Sequence, residues 1–107
     1  MINPNTQVEV TESEECKGMG RAFAVSLNVS EDLYPVKVEG TAEDVFKANY
    51  TVTMSNDDVL VYTYSGSTFA GREVTEFTIN GKSIDHDWDV PQDDARRLYI
   101  MYLAKML

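Results

Sequence analysis

The stretch FKANYTVTM alternates without a break: Phe46, Ala48, Tyr50, Val52 and Met54 fall on one side, Lys47, Asn49, Thr51 and Thr53 on the other. Successive side chains of a strand point to opposite faces, so this period of two predicts a long strand with one dry face and one wet face. Threonines and a tyrosine inside the run suit a pleated surface. The chain is thereby restricted to folds in which a sheet carries something apolar against one side. The competing reading for residues 41–48 is a helix over AEDVFKA, with Thr41 as its cap and Glu43 and Asp44 in its first turn. Sustained alternation outweighs one cap.

The same period recurs on both sides of that run. Val8 and Val10 oppose Glu9 in a first strand over residues 7–12, and SEECKGMGR breaks it with Gly18 and Gly20. AFAVSLNV reads as a second strand, with Phe23, Val25, Leu27 and Val29 on one face and Ala22, Ala24, Ser26 and Asn28 on the other. After SEDLYP, Val36 and Val38 begin a short third strand expected to stop near Gly40. Beyond the turn SNDD, VLVYTYS is a strand with Tyr62 and Tyr64 on the side of Leu60. GSTFAGR leads to EVTEFTI, where a change of phase between Val74 and Phe77 predicts a bulge or twist. Asn80-Gly81 is the strongest short turn signal in the chain. The connections are too short for repeated helical crossovers, so an antiparallel sheet is expected.

The period changes at ARRLYIMYLAKML. Ala95, Leu98, Tyr99, Tyr102, Leu103 and Met106 form a broad helical face that packs on the sheet. Ile100, Met101, Ala104 and Leu107 lie on the other side, and a helix so apolar all round calls for cover there too, from a second subunit or from residues 1–20. With 107 residues the chain suits one domain. The expected class is α+β: a single small domain over residues 7–107, a mainly antiparallel sheet of five to six strands with one C-terminal helix on it, and a flexible N-terminus over 1–6.

Charge bounds the function. Eighteen acidic residues against nine basic ones leave a net charge of -9, shared by both halves of the chain. A body of this sign repels nucleic acid and anionic membranes and attracts basic surfaces, so direct binding to either is not expected. The single cysteine, Cys16, excludes an internal disulfide. The chain has no apolar run long enough to span a membrane and no secretory signal at its start, which makes the cytoplasm the expected compartment.

IDHDWDVPQDDARRLY concentrates five aspartates around the only histidine and tryptophan. Asp85, Asp87 and Asp89 imitate the opening of an EF-hand loop, but Val90 stands where its glycine belongs and Arg96 where its glutamate belongs. His86 and Cys16 alone do not make a zinc site, so no metal and no cofactor are expected. Glu14 and Glu15 beside Cys16 oppose a thiolate nucleophile. The helix accounts for more: Asp89 with Gln92 fits a capping box, Pro91 suits a first turn, and Asp93 and Asp94 sit at the positive end of the dipole.

Asp85 and Asp87 then remain, with Asp57 and Asp58, as outward carboxylates: solubilising charge, or an acidic face for a basic protein. Trp88, Tyr62, Tyr64 and Tyr34 are the aromatic anchors such a face could use. The expected function is a non-enzymatic interaction domain, an inhibitor that imitates nucleic-acid charge being its sharpest form. The alternatives are an assembly subunit that dimerises through Ile100, Met101, Ala104 and Leu107, and a small carboxylate hydrolase. In its size, its charge and its closing DVPQDDARRLYIMYLAKML the chain resembles small proteins of bacteriophages and mobile elements, some of which inhibit defence nucleases. That resemblance implies an inhibitor and assigns no residue.

Overall fold

The computed structural model describes residues 8–44, 47–67, 71–84 and 92–106. Six strands form one sheet in sequential order: β1 (Glu9–Glu12), β2 (Pro35–Asp44), β3 (Lys47–Met54), β4 (Val59–Ser67), β5 (Gly71–Ile79) and β6 (Lys82–Ser83). Two helices, α1 (Met19–Ser26) and α2 (Gln92–Met106), contribute buried side chains to one core, so the α+β architecture expected from the patterning holds. The alternation of KANYTVTM is seen directly, since Ala48, Tyr50, Val52 and Met54 are buried and the residues between them are not.

Three local expectations are corrected. AFAVSLNV is largely helix α1, and its buried residues Gly20, Phe23 and Ala24, followed by Leu27, keep helical spacing. An alternating reading of Phe23, Val25 and Leu27 fits nearly as well on paper, but Val25 is only half-buried. Second, β1 runs parallel to β2, with Glu9 opposite Lys37 and Glu12 opposite Gly40. The link from β1 to β2 carries α1, and such a crossover is what a parallel pair requires. Third, β2 does not stop near Gly40 but continues to Asp44. Residues 41–44 are therefore strand, while Val45 and Phe46 lie outside the described residues.

The predicted bulge falls where the phase changes. Thr63 pairs with Glu76 and Tyr64 with Val74, which leaves Thr75 without an opposite number on β4. Asn80 and Gly81 both take positive φ in the turn between β5 and β6, as a tight hairpin requires.

The core is an aromatic stack under α1. The Phe23 ring lies 5.1 Å from Tyr50 and 4.6 Å from Tyr62, and Phe77 closes on Tyr62 edge-on at 6.0 Å. Such pairs add about 0.5–1.5 kcal/mol each beyond the area they bury. The opposite face of the sheet carries Thr51, Thr53, Val61 and Thr78, all half-buried, and the row in which Asn49 donates to Thr63 and Thr63 to Glu76.

Candidate functional site

At one end of the sheet the chain turns three times in close quarters. Ser55, in the turn between β3 and β4, donates its backbone N–H to the Tyr34 carbonyl (2.8 Å) and its hydroxyl to the Asp32 carbonyl (3.0 Å). Its Oγ accepts from the Tyr34 N–H at 3.1 Å. These bonds hold the loop before β2 against the β3–β4 turn, so Glu31 and Asp32 come to the same end as Asp57 and Asp58. Glu31, Asp32 and Asp57 are exposed, and Asp58 is half-buried. The sequence alone points to Tyr34 beside Ser30-Glu31-Asp32 but does not pair that loop with SNDD; only Ser55 does.

The Asp58 carboxylate accepts three hydrogen bonds. Asn80 donates from Nδ2 to Oδ1 at 2.8 Å, and Oδ2 accepts from Asn56 Nδ2 at 3.0 Å and from the Tyr99 hydroxyl at 2.7 Å. The local fold prepares this arrangement: Asn56 Oδ1 accepts the Asp58 N–H, Asp57 takes φ 73°, and Asn80 Oδ1 accepts the Val59 N–H. Partial burial alone would raise the Asp58 carboxyl, but bonds from Asn80, Tyr99 and Asn56 outweigh it and hold the group below its ordinary value. Burial, with the bond and charge of Asp58, pushes the Tyr99 hydroxyl up. One carboxylate thus joins two turns and a helix.

The expected site residues separate into groups. Asp57 is exposed, whereas Asp58 is half-buried and bonded to Asn56, Asn80 and Tyr99. Tyr62 and Tyr64 keep only 5% exposure each and are corrected from contact residues to core residues, because their rings complete the stack with Tyr50 and Phe23. Tyr34 is half-buried beside the acidic loops. On α2, Ile100 is half-buried, Ala104 is exposed and Met101 is 50% exposed. Asp85, His86, Asp87, Trp88, Asp89 and Leu107 lie outside the described residues, so the proposed cap at Asp89 does too; Gln92 is the first residue of α2.

Sequence reasoning missed a second polar joint. Glu12 at the end of β1 accepts the N–H of Gly18 through Oε1 (2.8 Å) and that of Gly20 through Oε2 (3.1 Å). Gly18 is the left-handed N-cap of α1 and offers no side chain, so Glu12 satisfies the orphan donors and faces the positive helix end. Cys16, in the 3-10 turn Glu14–Cys16, is fully buried beside Gly40 and the Tyr50 ring. Burial chiefly pushes the Tyr50 hydroxyl up, with Tyr64 and Cys16 adding to it, although among the described residues none meets that hydroxyl with hydrogen-bond geometry.

Among the described residues no group of three or more His, Cys, Asp or Glu side chains is placed to hold a metal ion. Among them, too, no helix is long and apolar enough to cross a membrane. No protein-family model, no curated protein and no solved structure matches the chain.

Proposed function

We propose that the protein is a non-enzymatic cytoplasmic interaction domain that offers a rigid acidic end to a basic protein partner, and that it inhibits a nucleic-acid-processing enzyme by imitating phosphate charge. The observation that carries this reading is the gathering of Glu31, Asp32, Asp57 and Asp58 by two hydrogen-bonded loops in a chain of net charge -9. Preorganised carboxylates on short loops lose little entropy on binding and steer a positive partner from a distance. Asp57 and Asp32 are the contact groups, with Tyr34 beside them as the aromatic neighbour.

The test is affinity capture from native extract, with the retained proteins identified by mass spectrometry. The expected result is a basic nucleic-acid-binding protein, lost between about 0.05 and 0.5 M salt as screening weakens charge attraction. The triple variant Glu31→Gln, Asp32→Asn, Asp57→Asn should fail to retain it. Retention by the neutralised variant refutes the reading.

Met101 favours a second reading, since it is the one large hydrophobic side chain that stands exposed among the described residues. An assembly subunit would bury it, with Ile100 and Ala104, against a second copy. Sedimentation at high salt separates the two, because an apolar contact tightens where a charge contact loosens.

A further inference from the structure

The last helix is attached differently from the rest of the fold. The sheet and α1 share the stack of Phe23, Tyr50, Tyr62 and Phe77, all of it at 5% exposure or less. Helix α2 enters the core at full burial through Ala95 and Tyr99, while Leu98, Tyr102 and Leu103 are partly covered. Arg97, Met101, Ala104 and Lys105 face outward. Its polar attachments include Arg96 Nε to the Asn28 carbonyl at 3.2 Å and the Tyr99 hydroxyl to Asp58 at 2.7 Å.

Asp58 belongs to the turns and not to the helix. Asn56 and Asn80 stay beside it whether or not Tyr99 is present, so departure of the helix leaves a carboxylate that is still bonded and open to water. Opening β3, β4 or β5, by contrast, breaks two ladders and the aromatic stack together.

We propose that α2 is a strap that opens as one unit from a body of sheet and α1 that stays folded, with the Tyr99–Asp58 bond as its latch. Regions with few buried contacts open well below the global unfolding free energy. A detached helix of this length is marginal in water, so the opened strap loses its own hydrogen bonds as well. Opening uncovers the apolar side chains of Ala95, Leu98, Tyr99, Tyr102 and Leu103, which the closed fold buries fully or in part. This inference does not depend on the acidic end having a partner.

Amide hydrogen exchange on the full chain near neutral pH tests it. The amides of residues 96–105 should exchange with one common opening, at least about tenfold faster than those of β3 and β4. Tyr99→Phe keeps the ring and removes the latch, and should speed the α2 amides by roughly tenfold, with β3 and β4 within about twofold. Three outcomes overturn the proposal: one common rate for α2, β3 and β4; equal acceleration of all three by Tyr99→Phe; or a gradient rising towards Met106 while the turn around Tyr99 stays as protected as β3, which is end fraying. The wild-type profile decides even if the variant does not fold.

Discussion

Gly40 lies against the Tyr50 ring, and one methyl group there should be felt. It pairs with Glu12 on one side and Tyr50 on the other, and the Tyr50 ring lies across it. A Cβ at this position would stand 3.1 Å from Tyr50 Cδ1, 3.3 Å from Cε1 and 3.6 Å from Cys16 Sγ. Relaxed carbon contacts lie at about 3.5–4.0 Å, so the ring has to retreat by a few tenths of an ångström. It has little room to do so, being 1% exposed and stacked on Phe23. Overpacking of this kind costs about 1–3 kcal/mol, and loss of glycine's chain entropy returns about 0.5–1 kcal/mol. Gly40→Ala should therefore destabilise by about 1–2 kcal/mol, a fall in Tm of roughly 5–15 °C for a domain of this size. Thermal and urea unfolding followed by circular dichroism measure it. A Tyr50→Leu background removes the ring, and there the added methyl should cost about 1 kcal/mol less. An unchanged or raised Tm for Gly40→Ala would refute the reasoning, because the ring would then be free to move.

Glu12→Gln should cost about 1–2 kcal/mol, since the amide has one acceptor for two helix N–H groups and no charge for the dipole, whereas exposed Glu14→Gln should stay within about 0.5 kcal/mol; equal effects in urea titration would remove the capping role. The depressed Asp58 carboxyl contributes stability that is present above its unfolded value near 3.8 and is lost as pH falls through the lower folded value. Asp58→Asn should accordingly be less stable than wild type at neutral pH, with the difference shrinking below about pH 4. A constant difference from pH 7 to 2 contradicts the ion's role. The raised Tyr50 and Tyr99 hydroxyls act in the other direction: their contribution is present below their ordinary value of 10.0 and is lost as pH rises above it.

Much of the fold was legible because a half-buried strand writes its exposure pattern in every second residue. Ala48, Tyr50, Val52 and Met54 declare β3 without any partner, and Asn80-Gly81 declares a hairpin because few residues accept positive φ. Even the bulge at Thr75 was visible, since an extra residue shifts the phase of the whole strand. Helix α1 was not legible in the same way. Its eight residues satisfy two periods at once, and its cap is a glutamate that arrives from β1. The acidic residues were legible as charge, but which of them share one end of the sheet was not, because composition carries no information on which loops meet.

By itself the sequence determined the sheet, the terminal helix, the single domain and the negative charge, all of which follow from local period, turn chemistry and composition. Tertiary structure alone decided that β1 lies parallel to β2, that Tyr62 and Tyr64 face inward, that Ser55 ties the Asp32 loop to the β3–β4 turn, and that Asp58 bonds Tyr99 of α2. The physical reason is the same in each case. These features rest on contacts between residues far apart in the chain, whose free energy depends on which surfaces are already buried, and no local pattern records that.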